Sequence, residues 1–150
     1  MMSEENVAKG IALPWVSFAS DAQSMASEGV FLERSTHPRA YGNFSRVLGK
    51  YVREDEVITL PDAIRKLSKL PATNLKIRDR GELAAGYFAD IVIFNPSTVS
   101  DHATFDAPHQ YSTGMGHVIV NGEPVIHYGD HTGALPGQVV RGPGWRGWQD

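Results

Sequence analysis

The chain has no cysteine among its 150 residues. That absence excludes disulfides, thiolate zinc sites and a cysteine nucleophile together, so any metal must be held by His, Asp or Glu. Basic charge is also short: 14 Lys and Arg stand against 17 Asp and Glu, for a net charge of −3 and an isoelectric point near 6.0. Such a chain offers no positive field to a polyanion, and nucleic acid is not expected as a partner. No apolar run approaches the roughly 20 residues that span a bilayer. The opening Met1-Met2-Ser3-Glu4-Glu5 is acidic where a secretory signal is basic. No membrane partner is therefore expected, and the location expected is cytoplasmic. The length is too short for a complete (β/α)8 barrel of about 250 residues, but it suits one domain, or one domain with part of another. With 41% hydrophobic and 21% charged residues the chain has the composition of a globular protein, made somewhat loop-rich by 15 Gly and 9 Pro.

What is present is organised around Val16 to Arg39. The apolar run Trp15 to Ala19 reads as a buried β-strand that stops at Ser20-Asp21 and delivers a carboxylate to its C-terminal tip, where α/β barrels place their chemistry. After a polar loop, His37-Pro38-Arg39 brings an imidazole and a guanidinium. A carboxylate and an arginine at one mouth can treat opposite ends of one small substrate. On the residues alone Asp21 reads equally as a turn or capping aspartate, Arg39 as a surface arginine, and His37 as a loop histidine held extended by Pro38.

The remaining elements follow from spacing. Ser3 with Glu4 and Glu5 predicts a helix running to about Leu13, stopped by Pro14. Phe44, Val47, Leu48, Tyr51 and Val52 fall on one helical stripe, with Arg46, Lys50 and Arg53 facing water and an end by Glu54-Asp55. Thr59, with Pro61 and Asp62 behind it, caps a second helix whose stripe is Leu60, Ala63, Ile64 and Leu67. Leu70-Pro71 should break it, with one further turn over Ala72 to Leu75. From Lys76 onward strand and turn signals take over. Ile91 to Phe94 is an apolar strand, and His117 to Val120 with Pro124 to Tyr128 around Asn121-Gly122 is a hairpin. His117 and His127 face each other across it and read as structural, since two histidines lack a third ligand. His131 reads as exposed, and Gly133 to Asp150 as a loosely attached tail. The fold class expected is α/β plus β: residues 1–76 as the last unit of a barrel with its helices, 77–142 as a small β-layer, and 143–150 as a flexible tail.

The order FASDAQS, HPRAYGNFSRVLGKYVRE, LPDAIRKLSKLPATNLKIRDRGELAAGYFADIVIFNPSTVSDHATF and HVIVNGEPVIHYGDHTGALPGQVVRG resembles the C-terminal third of the N-acyl-D-amino-acid deacylases, or D-aminoacylases, of the amidohydrolase superfamily. The likeness runs from about Trp15 to Arg141. It implies the end of a zinc-dependent TIM-type barrel followed by part of a small β-sandwich. It also implies that Asp21 is the catalytic residue that takes a proton from water and passes it to the leaving amine, and that Arg39 binds the α-carboxylate of the N-acyl-D-amino acid. His37 precedes that arginine in the motif with no defined role. Asp21 doubles as the one candidate metal contact, effective only beside a partner half. The family's other zinc ligands, a His-x-His pair, a cysteine and two later histidines, do not lie in this chain. Ala22 and Ser45 stand where the family usually has Gly and Pro.

Three readings follow from the sequence. The chain is the C-terminal segment of a deacylase that needs an N-terminal half to supply the zinc; or it is a folded piece without catalysis; or it oligomerises through the exposed edge of its orphan strand.

Overall fold

The computed structural model describes residues 3–146. Helix α1, Glu4–Ala12, begins as its sequence dictates: the Ser3 hydroxyl accepts the Asn6 N–H and Glu4 and Glu5 fill the first turn. The chain leaves it at Leu13, ahead of Pro14.

The expected strand at Trp15 to Ala19 is corrected. Residues 16–21 have no strand pairing, and Trp15 is 67% exposed. A parallel strand takes its hydrogen bonds from adjacent strands, and none of the four strands in the described residues pairs with this segment. It is held by other means. The Lys66 ammonium donates to the carbonyls of Ile11 and, at 2.7 Å, Leu13; Arg65 donates to the Pro14 carbonyl at 2.8 Å. The Phe18 N–H reaches the Lys66 carbonyl, and the Asn43 amide donates to the Ala19 carbonyl at 2.9 Å.

Helix α2, Arg39–Arg46, continues without a break into a π-helical stretch, Val47–Glu54. Widening to the i→i−5 bond changes the rotation per residue, so the expected five-residue stripe does not stay aligned. Val47, Leu48 and Tyr51 are buried, Val52 is half-buried, and Phe44 is exposed. Arg53, expected to face water, donates to the carbonyls of Val99 at 2.6 Å and Pro96 at 3.2 Å.

The second helical run starts at Thr59, whose hydroxyl accepts the Asp62 N–H. It passes through α3, Leu60–Ile64, π-helical turns Arg65–Lys69, and α4, Leu70–Asn74. Leu70-Pro71 does not break it, contrary to expectation. In an α-helix proline removes a bond and its ring strikes the carbonyl one turn back. Here the wide turns immediately before it, with the Leu70 N–H bonded back to the Arg65 carbonyl, give the ring room. The same turns rotate the buried face, leaving Ile64 exposed and Lys66 fully buried.

Residues 99–101 close over α2 and its continuation. A Cβ on Gly49 would stand 2.8 Å from the Val99 carbonyl oxygen, and one on Gly42 2.7 Å from the Asp101 Cβ. The two bare positions therefore permit that approach. The core beneath is Val47, Leu48, Ala63 and Val99, with Phe18, Leu67, Phe94 and Met115 packed against it.

The β-layer is one antiparallel sheet in the order β1 (Ile91–Phe94), β2 (Met115–Val120), β3 (Glu123–His127), β4 (Asp130–His131). Val120 pairs with Glu123 across Asn121-Gly122, whose φ angles of +50° and +86° suit the twist of a two-residue hairpin. His117 pairs with His127, their rings 5.0 Å apart, and His131 is exposed. Val92 and Ile93 of β1 remain about half exposed. From Gly133 the chain has no regular structure up to Arg146, and Trp148 and the last part of the tail lie outside the described residues. No helix among the described residues is long and apolar enough to cross a membrane.

Two outcomes are expected. Lys66→Met should lower stability in urea unfolding by about 1.5–3 kcal/mol, the range for a hydrogen bond to a charged group, because the Ile11 carbonyl loses the ammonium donor and the Leu13 carbonyl keeps only the Val16 N–H. Asp62 is held below the usual carboxylate range, first by its hydrogen bond from Arg65 and then by the charge of Lys66 against its partial burial. A lowered pKa contributes stability that is present above about pH 4 and lost as pH falls through the lowered value. The melting temperature of Asp62→Asn should thus lie below the parent's at pH 7, and the gap should close on acidification.

Candidate functional site

The chain from Leu13 to Asp21, stitched to the helical run and to α2, ends with Asp21 in the left-handed region at φ +48°, a conformation Asp tolerates better than most residues. That turn points its carboxylate back toward α2. Arg39 opens α2, and its Nη2 lies 2.9 Å from Asp21 Oδ2. The Asp21 side chain is 86% exposed and that of Arg39 43%, so the pair is worth at most about 1 kcal/mol and opens easily. His37 stands beside it: its Nδ1 accepts the Arg39 N–H at 3.1 Å, and its ring meets the edge of Phe105 at 4.9 Å. The three residues singled out in the sequence are thus brought to one place.

The loop between Asp21 and Arg39 carries one 3-10 turn, Gly29–Glu33, with Val30, Phe31 and Leu32 exposed. Its first part is tied down at Ala26 and Ser27. The Ser27 N–H donates to the Tyr111 hydroxyl at 2.8 Å, and the Ser27 hydroxyl donates to the His109 carbonyl at 2.6 Å. Tyr41, on α2, packs edge-on to both His109 and Tyr111. Burial, with Tyr111 beside it, raises the Tyr41 phenol above its ordinary value, and its hydroxyl donates to the Ala26 carbonyl at 3.5 Å.

Sequence reasoning missed these supports, and Asn43 with them. Only Asn43 and Tyr41 left a trace, as polar or aromatic members of the HPRAYGNF stretch. Ser27 stands 82 and 84 residues before His109 and Tyr111, and no spacing rule links it to them.

Among the described residues no group of three or more His, Asp or Glu side chains is placed to hold a metal. Asp21 supplies one oxygen donor, and the His117–His127 pair has no third ligand beside it. A cavity of about 500 Å3, lined by Lys76, Arg78, Arg80, Phe88 and Arg141 among others, includes neither Asp21 nor Arg39. The site is an open surface with an acid–base group and a cation in contact. That arrangement can move a proton and bind a carboxylate, but a carboxylate alone is too weak a base to activate free water at neutral pH.

Residues 33–126 match the amidohydrolase family. The N-acyl-D-glutamate deacylase of Alcaligenes xylosoxydans xylosoxydans is 43% identical over 124 residues, which are 83% of this chain and 25% of that protein. The D-aminoacylase of the same organism is 41% identical over 116 residues, 77% of this chain and 24% of its own length. The chain thus spans about a quarter of the relatives it matches. Among solved structures, D-aminoacylase superposes with a TM-score of 0.84 at 36% identity, over 93% of this chain and 28% of that one. The N-acyl-D-glutamate deacylase of Bordetella bronchiseptica, complexed with zinc and a phosphonate inhibitor that mimics the tetrahedral intermediate, superposes with a TM-score of 0.74 at 40% identity, over 83% of this chain and 25% of that one. With the family model spanning more than half its length, and with this identity to deacylases, the chain belongs to the amidohydrolase family.

Proposed function

We propose that this chain is the C-terminal segment of an N-acyl-D-amino-acid deacylase, contributing the acid–base carboxylate and the substrate anchor to a site completed by an N-terminal segment. The observation that carries the reading is the contact between Asp21 and Arg39, at 2.9 Å across the loop that separates them. The deacylase relatives support the choice of substrate class.

Arg39 binds the α-carboxylate of the N-acyl-D-amino acid through its forked N–H donors. The exposed pair opens at little cost, freeing Asp21. Asp21 then takes a proton from the attacking water as the C–O bond forms, and returns it to the amide nitrogen as the C–N bond breaks. The products are a carboxylate and a free D-amino acid. Zinc, bound in the Bordetella relative, would polarise the carbonyl and acidify the water. The described residues do not fit a zinc site by themselves, since they offer Asp21 and no cluster of donors; the remaining ligands would come from the N-terminal segment. The half-exposed Val92 and Ile93 of β1 are consistent with cover by that segment.

The enzyme for these tests is the chain co-expressed with a His-x-His-bearing segment and loaded with zinc. Asp21→Asn is expected to lower kcat on N-acetyl-D-amino acids by about 10²–10⁴-fold, the scale of general acid–base catalysis. Unchanged turnover removes Asp21 from catalysis. Arg39→Lys is expected to raise KM about tenfold with kcat largely kept, because a point charge does not reproduce a two-point grip. An unaltered KM removes Arg39 from the substrate site.

A further inference from the structure

The segment SDHATF and the residues after it take no part in the reading above, yet they close on the loop that joins Asp21 to Arg39. Three elements meet there. Ala26 and Ser27 lie in the first part of the loop; Tyr41 lies on α2; His109 and Tyr111 come from the irregular stretch between β1 and β2. Ser27 is bonded through both its N–H and its hydroxyl, to the Tyr111 hydroxyl and to the His109 carbonyl. Tyr41 stands between them, its ring 5.8 Å from that of His109 and 5.7 Å from that of Tyr111. The far side is fastened as well, by the Ser112 hydroxyl donating to the Tyr41 carbonyl at 3.0 Å.

A loop of this length, free in the middle, would let its two ends wander. Asp21 is already 86% exposed and its pairing with Arg39 is weak, so the pair does not fix the loop. The contacts at Ser27 do, because the two residues that hold it, His109 and Tyr111, meet Tyr41 edge-on, and Tyr41 lies on the helix that carries Arg39. The buried His109 Nε2, unpartnered among the described residues, lies within the same cluster.

We propose that Tyr111, acting through Ser27 and stacked on Tyr41, is a positioning residue that holds the Asp21–Arg39 loop in its substrate-ready arrangement. The reaction it serves is that of the preceding section, and the proposal rests on that reading. The hydroxyl touches no reacting atom. It raises the fraction of molecules whose loop is held in this arrangement, and apparent affinity scales with that fraction.

The test is Tyr111→Phe, which keeps the ring stack and removes only the oxygen that accepts the Ser27 N–H. Tyr128→Phe, on an exposed hairpin position, serves as control. In the 150-residue chain, amide hydrogen exchange at Ser27 is expected to quicken about fivefold on loss of one such bond, while amides of α2 and the β2–β3 hairpin keep their rates. Unchanged exchange at Ser27, or acceleration spread through the hairpin, overturns the proposal. In the zinc-loaded reconstituted enzyme, Tyr111→Phe is expected to raise KM severalfold with kcat within twofold of the parent, and Tyr128→Phe to change neither. Equal loss in kcat, or no change in KM, also overturns it. If the parent enzyme releases no D-amino acid, the functional reading falls, and the exchange result alone then decides whether Tyr111 holds the loop.

Discussion

The ammonium of Lys66, shut away from water, is what the rest of this structure depends on. A buried cation is costly unless its donors are used, and here they reach the carbonyls of Ile11 and Leu13, with Asp62 at 3.6 Å. Two carbonyls at the end of α1 that have no intrahelical partner are thereby satisfied. The cation also suits the negative end of that helix. The consequence is positional. Lys66 fixes the point at which the chain leaves α1, Arg65 and the Lys66 carbonyl guide it past Pro14 and Phe18, and Asn43 receives it at Ala19. Asp21 emerges next to Arg39 because each of those hand-holds comes from the helical run or from α2.

A segment that reads as a buried strand is thus held by side chains and isolated backbone bonds in place of a ladder. The same applies at larger scale. The sheet keeps β1 half exposed, the paired carboxylate and guanidinium lie open, and the donors for a metal are one where several are needed. Each of these is intelligible in a chain that spans about a quarter of the amidohydrolases it resembles. The helices and the hairpin hold their shape because their bonding is local, whereas features that need distant strands do not form.

That division also describes how much was legible from the sequence. Thr59 and Ser3 announced their helices, and Asn121-Gly122 its hairpin, since caps and two-residue turns are settled by neighbouring residues. Asp21 and Arg39 at one mouth are read from the order of apolar run, loop and HPR; the family motif gives those two their roles and gives His37 none. The strand at Trp15 to Ala19 failed because apolar character does not supply the neighbouring strands that would pair with and bury it, and Trp15 is 67% exposed. Pro71 within a continuing helix, exposed Ile64 and buried Lys66 share one cause, the π-helical turns Arg65–Lys69, and period-3.6 reasoning has no term for them. Ser27, Tyr41, His109 and Tyr111 were hidden for a different reason, being joined only by tertiary contact.

The central claim is that this polypeptide owns the proton carrier and the carboxylate anchor of a deacylase site whose metal is held from elsewhere. The most direct measurement is metal content and release of D-amino acid from an N-acyl-D-amino acid, made on the pure chain and again after assembly with a metal-ligating N-terminal segment. The account predicts neither bound zinc nor turnover for the chain alone, and both for the assembly. Stoichiometric zinc with enzymatic turnover in the solitary chain would contradict it.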